Sequence, residues 1–155
     1  YILANKGIYK KKEKIKNFFF MEKKLGLDNY KKFKKFDIKI RKSKEKLVNL
    51  LKTLKKKGKK IAAYAATAKS STIFNYCQIG PQLIDYISDT TSYKIGKFSP
   101  GTHIPIKSHK FFIENQPDYM LLLGWNHKEE ILSKEKNFSK KGGKWIIHVP
   151  SVSII

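Results

Sequence analysis

The chain has 155 residues, 41% of them hydrophobic and 13% aromatic, which suits one domain with a buried core and excludes wholesale disorder. No run approaches the roughly 18 apolar residues of a membrane span, and the single Cys77 excludes an internal disulfide framework or a cysteine-based zinc cluster in this chain. The formal charge of +22 rests on 34 basic residues of which only Arg41 is arginine; specific phosphate and base readers lean on arginine forks, so the lysine excess reads as a solvated face, and nucleic acid is not the expected partner.

The charge is uneven: residues 1–60 carry 23 basic and 5 acidic side chains, whereas residues 61–155 carry 11 and 7. Tyr1-Ile2-Leu3-Ala4 reads as a short strand stopped at Asn5-Lys6-Gly7. From about Lys10 to Leu25, Ile15, Phe18, Phe19 and Glu22 recur at helical spacing, with Gly26 as the stop and Asp28-Asn29 as the next N-cap. A long second helix follows, from about Asn29 to Lys57. Its stripe of Phe33, Phe36, Ile40, Leu47, Leu51 and Leu54 fits an amphipathic helix packing on a partner. An acidic membrane surface or a calmodulin-like partner suits the same pattern. Gly58 ends it. No secretory signal is visible and the chain begins at Tyr1, so the expectation is a cytoplasmic piece of something longer.

From residue 60 the texture changes to strands alternating with helices. Ile61 to Ala65 is the first strand, followed by a polar turn, Thr67-Ala68-Lys69-Ser70-Ser71, and a helix from Thr72 to about Gln78. Leu83 to Ile87 is a second strand with Asp89 just past its end, and His103 to Ile106 a third. Ser108 caps a short helix, His109 to Asn115. Tyr119 to Leu123 is a fourth strand, buried on both faces because it lacks alternation. A helix spans about Lys128 to Asn137, and Trp145 to Val149 forms the fifth strand. This order predicts an α/β fold: a Rossmann-like, mostly parallel sheet over residues 59–155, with a lysine-rich helical N-terminal extension over 1–58.

In such sheets ligands bind beyond the carboxyl ends of the strands, and three spots fall there. The turn after the first strand offers Thr67, Ser70 and Ser71 as donors and Lys69 as a point charge at a helix start, where backbone N–H groups favour an anion; it equally suits a tight turn of small residues. Asp89, at the end of the second strand, is placed to accept from ribose hydroxyls or to cap a turn. Trp125-Asn126, after the fourth strand, is placed to read a base or sugar edge, unless Asn126 caps the next helix. The four histidines show no metal-ligand spacing, and no Ser/His/Asp order or carboxylate pair is persuasive.

Taken together, Lys59-Lys60-Ile61-Ala62-Ala63-Tyr64-Ala65-Ala66-Thr67-Ala68-Lys69, Asn75-Tyr76-Cys77 and Ile84-Asp85-Tyr86 with Asp89 resemble one known family. So do Lys94, Gly96, Pro100-Gly101-Thr102-His103-Ile104-Pro105-Ile106, Pro117-Asp118-Tyr119, Leu121 to Asn126 and Gly142-Gly143-Lys144. The chain resembles the C-terminal domain of S-adenosylmethionine-dependent sugar C-methyltransferases, which act on nucleotide-linked deoxysugars. It departs from the family's Tyr-Gly-Ala at Tyr64-Ala65-Ala66 and from a frequent Gly-Asn near Ser70-Ser71.

The resemblance implies three parts: a zinc-binding N-terminal module, a central methyl-donor-binding domain, and this domain holding the nucleotide-sugar. It implies a reaction in which a proton is removed beside a 4-keto group and the enolate carbon takes the methyl group, with the general base and both cofactors outside this chain. This chain would orient the substrate, through Thr67, Lys69, Ser70 and Ser71 to the diphosphate, Lys94 to the same group, Asp89 to the nucleoside, and Trp125 and Asn126 as lining. No catalytic residue is assigned to it. The partners implied are a nucleotide-diphosphate sugar and the upstream domains of the same polypeptide. The rival readings are a lysine-driven nucleic-acid-binding module and a non-enzymatic nucleotide-binding domain.

Overall fold

The computed structural model describes residues 13–155. The strand expected at Tyr1–Ala4 and the first residues of the first helix lie outside them. The chain divides into two compact units, one ending at Arg41 and the other comprising Lys42–Ile155.

In the first unit, helix α1 (Glu13–Leu25) stops at Gly26, whose φ of +67° is the left-handed conformation that costs glycine little. Helix α2 (Tyr30–Lys56) starts behind Asn29, whose Oδ1 accepts the Lys31 N–H at 2.9 Å, as the expected cap requires. Three consecutive phenylalanines cannot share one face of a 3.6-residue turn, and Phe18, Phe19 and Phe20 are all exposed. Phe33, Phe36 and Ile40 are exposed too. The stripe expected along all of α2 therefore buries only its second half, Leu47, Leu51 and Leu54, which belong to the second unit.

The second unit is built on a six-stranded sheet in the order β3-β2-β1-β4-β5-β6. Strands β1 (Ile61–Tyr64), β2 (Ile87–Asp89), β3 (Ile106–Ser108), β4 (Tyr119–Leu122) and β5 (Lys144–Ile147) run parallel, and β6 (Ser153–Ile154) pairs antiparallel with β5. Between them lie helices α3 (Ala68–Cys77), α4 (His109–Glu114), α5 (Lys128–Lys134) and α6 (Lys136–Lys140). The fold is thus α/β with a mostly parallel, mixed sheet preceded by helices. Among the described residues, no helix is long and apolar enough to cross a membrane.

Side-chain alternation explains why the long strands are apolar throughout. Ile61, Ala63, Ile87, Leu121 and Ile146 face Leu47, Leu51 and Leu54 of α2 and Phe74 of α3. Ala62, Tyr64, Met120, Leu122 and Trp145 face Phe112 of α4 and Phe138 of α6 on the opposite side. There the rings interlock edge to face, Phe138 lying 5.3 Å from Trp145 and 5.6 Å from Phe112. Gly143 turns the chain into β5 beneath that cluster, where a Cβ would sit 2.1 Å from the Phe138 ring.

Four expected elements shift, each for a local reason. Helix α3 begins at Ala68 rather than Thr72, because Thr67 is its N-cap and Oγ1 accepts the Ser70 N–H at 3.1 Å. Strand β2 begins at Ile87 and contains Asp89, because Leu83 and Ile84 donate back to the Gly80 carbonyl in a turn. Asp85, before β2, staples β1 instead: its carboxylate accepts the Ile61 N–H at 2.9 Å and binds Lys55. Strand β3 begins at Ile106, since the Ile104 N–H goes to Ser99 Oγ and His103 has a φ of +54°. The helix expected over Lys128–Asn137 breaks at Glu135 into α5 and α6. The two-residue β6 carries no periodic signal and was not expected.

Candidate functional site

The chain crosses from one side of β1 to the other between β3 and β4, so the strand order reverses at β1 and β4, the place where open α/β sheets bind ligands. A cleft of about 600 Å³ opens there, at the carboxyl ends of β1, β2 and β4. Thr67 and Lys69 of the α3 start wall one side, Asp89 and Lys94 the β2 end, and Asn126 and Lys134 the far side.

The floor is made by a turn that the sequence only hints at. Ala65 leaves β1 with a φ of +77°, a conformation that L side chains adopt at a cost and glycine adopts freely. This is the position where the chain departs from Tyr-Gly-Ala. Asp89 holds the turn: Oδ2 accepts the Ala66 N–H at 2.7 Å and Oδ1 accepts the Thr91 N–H at 2.7 Å. Lys94 closes the staple, donating to the Ala66 carbonyl at 2.8 Å with its Nζ 3.7 Å from Asp89 Oδ2. Burial alone would raise the Asp89 pKa. Hydrogen bonds from the side chain and backbone of Thr91 and from Ala66, with the charge of Lys94, outweigh it and hold the carboxyl below its usual range.

Lys69, on the first turn of α3, reaches across the cleft. Its Nζ donates to Asn126 Oδ1 at 3.1 Å and stands 4.8 Å from the centre of the Trp125 ring. Three residues far apart in sequence therefore meet. Of the eight candidate residues, Thr67, Lys69, Asp89, Lys94 and Asn126 line this cleft. Trp125 faces an adjoining hollow of about 570 Å³, and Ser71 faces another of about 310 Å³ on the opposite side. Ser70 is 2% exposed and its hydroxyl donates to the Thr67 carbonyl, so it braces the turn from within.

One polar cluster escaped the sequence reading. Tyr64, on the cleft wall, donates its hydroxyl to Glu135 Oε1 at 2.7 Å, and His109 Nε2 stands 2.7 Å from the same oxygen. Glu135 is 4% exposed and sits where α5 gives way to α6. Burial, and then the bond to Glu135, push the Tyr64 phenol well above its usual pKa. The sequence carried no signal for it, since Lys128–Asn137 reads as one continuous helix and the break at Glu135 shows only in the structure. Two further buried polar atoms, Ser88 Oγ and His148 Nδ1, have no hydrogen-bond partner among the described residues. Among the described residues no three His, Cys, Asp or Glu side chains converge as a metal ion would need.

The α/β domain carries a lysine-lined cleft at its strand-order reversal. The chain belongs to the family described as the C-methyltransferase C-terminal domain, whose profile matches residues 1–150. It is 43% identical over 98 residues to the C-methyltransferase NovU of Streptomyces niveus, a match covering 63% of this chain and 23% of that protein. The match thus spans less than a quarter of the length of that relative.

Proposed function

We propose that this chain is the Rossmann-like domain that holds the nucleotide-diphosphate part of the substrate in an S-adenosylmethionine-dependent sugar C-methyltransferase, presenting a 4-keto deoxysugar for methyl transfer to carbon. The observation that carries the reading is the cleft itself. Its position at the strand-order reversal, the N-terminus of the ten-residue α3, and the Lys69 and Lys94 amines on its walls together favour a phosphate anion. The cleft carries Lys69, Lys94 and Lys134 against Asp89 and Glu130, an excess of positive charge that suits a polyanion better than a sulfonium cation. In this reading the methyl donor, which supplies the electrophilic methyl group, belongs with the proton-removing base and the zinc module in the upstream domains. In this reading the residues of the cleft bind and orient: Thr67 and Asp89 fix the turn that presents the α3 N–H groups, and Lys69 and Lys94 neutralise the diphosphate. Orientation of this kind shortens the search for an in-line geometry between the enolate carbon and the methyl group.

The test is calorimetric titration of the chain with TDP, UDP, CDP and GDP at about 150 mM salt, where exposed charges are well screened. S-adenosylmethionine and a short DNA duplex serve as controls. Saturable binding of a diphosphate, weakened by Lys69→Ala, is the expected result. Steeply salt-dependent DNA binding without nucleotide preference overturns it.

A further inference from the structure

The far wall of the cleft has little of its own to hold it in place. Helix α5 contains no buried residue; only Ile131 and Leu132 are partly buried, against the cluster of Phe112 and Trp145. Yet α5 presents Glu130, Ile131 and Lys134 to the cleft. The residue at which α5 ends is the buried Glu135, whose backbone N–H still bonds the Ile131 carbonyl at 2.9 Å, so its side chain moves with the wall. Glu135 Oε1 accepts the hydroxyl of Tyr64, which lines the cleft at the end of β1 and immediately precedes the strained Ala65. The same oxygen meets Nε2 of His109, the first residue of α4, whose side chain keeps 31% of its surface in solvent. Because Oε1 already accepts from Tyr64, Nε2 carries a proton and donates. One carboxylate oxygen thus ties β1, α4 and α5 together.

Resting on the diphosphate reading above, we infer that Glu135 and His109 are positioning residues of the cleft: the Tyr64–Glu135–His109 clamp seats the α5 wall on β1, and it grips harder when His109 is protonated. With a neutral imidazole only the acceptor of the His109–Glu135 bond is charged. Protonation adds the attraction of opposite charges 2.7 Å apart, in a place where water screens them poorly. Drawing Glu135 inward holds the preceding Lys134 and the hydrogen-bonded Ile131 at the cleft, where a diphosphate gains from the cation. The other charged groups around α4 are engaged elsewhere. Asp89 of β2 holds Ala66, Thr91 and Lys94, and Lys107 of β3 lies 5.4 Å from the centre of the Phe111 ring. Lys110 pairs with Glu114 at 3.9 Å within α4, Lys134 opens to the cleft, and Lys136 is exposed. Burial and Glu135 push the Tyr64 phenol well above its usual range, so it remains a neutral donor while His109 titrates. His109 is therefore the outward end of a connection that runs through one buried carboxylate to the cleft.

The experiment titrates TDP, UDP, CDP and GDP into the chain and into His109→Gln, at about pH 6 and about pH 8, on either side of the range in which histidine changes charge. Glutamine supplies a neutral N–H donor in place of Nε2, and the partly exposed position lets the variant keep its core. The two proteins are expected to bind the preferred diphosphate alike at the higher pH. At the lower pH the parent is expected to bind it about threefold more tightly. Titration of the nucleotide, and of His127 beside Glu130 in the cleft, is common to both proteins and cancels in the ratio of affinities. Tyr64→Phe, introduced into both, cuts the connection to β1 and leaves the Glu135–His109 pair, so the pH dependence of the ratio is expected to vanish. A ratio that is the same at both pH values overturns the inference, since a merely structural His109 would give that result. A pH-dependent ratio that survives Tyr64→Phe overturns it too, while leaving the cleft reading intact. Failure of the unsubstituted chain to bind any of the four diphosphates overturns the diphosphate reading itself, and this inference with it.

Discussion

Removing the Glu135 carboxylate is the sharpest test of how the far wall of the cleft is held. Glu135 is 4% exposed and its Oε1 takes both the Tyr64 hydroxyl and His109 Nε2 at 2.7 Å. Hydrogen bonds to a charged acceptor contribute about 1.5–3 kcal/mol each, and a buried hydroxyl stripped of its partner costs about 1–3 kcal/mol. These terms overlap, and for breaking a buried charged cluster about 3–5 kcal/mol is the expected total for Glu135→Ala. Glu135→Gln keeps an acceptor oxygen in place and loses only the charge assistance, so about 1–2 kcal/mol is expected. Urea unfolding followed by near-ultraviolet circular dichroism reads the difference through Trp145, whose ring lies 5.7 Å from that of Tyr64. A double-mutant cycle with Tyr64→Phe should return a coupling above about 0.5 kcal/mol. If Glu135→Ala loses less than about 1 kcal/mol, or the cycle is additive, the cluster does not hold the wall and the reasoning fails.

Other outcomes follow from packing and titration. Gly143→Ala should cost about 2–3 kcal/mol, because the added methyl meets Phe138, a ring 1% exposed that has nowhere to move; a variant as stable as the parent in thermal unfolding would contradict the ring cluster. Burial lowers the His148 pKa against an opposing backbone hydrogen bond at Leu122, and the staple lowers that of Asp89. Both groups take up protons more readily when unfolded, so their stabilisation is complete above the unfolded values, about 6.5 and about 4, and is lost as pH falls below each. Urea midpoints should therefore be level between about pH 7 and 8 and decline in two stages as the pH falls, and His148→Gln should remove the upper stage. Burial raises the Cys77 thiol pKa, opposed by the charge of Lys44, and the side chain is 5% exposed. A thiol reagent should label it only at the rate of unfolding, and rapid labelling of the native chain would place it elsewhere.

The sheet's central strands were legible because burial on both faces leaves an unbroken apolar run, as in Ile61–Tyr64 and Tyr119–Leu122. Strands β2 and β3 were displaced because each is three residues long and bordered by side chains, Asp85 and Ser99, that take over the bonds a longer strand would make. Lys69, Trp125 and Asn126 were legible singly, as polar or aromatic residues after strands, but their meeting was not. The Tyr64–Glu135–His109 cluster was invisible for a related reason: its members are separated by 71 and 26 positions, and no local pattern marks a buried glutamate inside a lysine-rich helix. Ala65 shows the converse case, a backbone demand that the motif carries more clearly than the residue occupying it.

The antiparallel strand β6 also determines what the sheet shows to other molecules. Ile155 exchanges both backbone hydrogen bonds with Trp145, each at 2.9 Å, and Ile154 lies opposite Ile146. Without Ser153–Ile155 the outer edge of β5 would present a row of bare amide and carbonyl groups beside Trp145, Ile146 and Ile147, a template on which a neighbouring chain could add a strand. Ser153–Ile155 thus cover most of the edge of the four-residue β5 and leave a strand of only two residues as the sheet's border, the kind of short edge that offers little to a neighbouring chain.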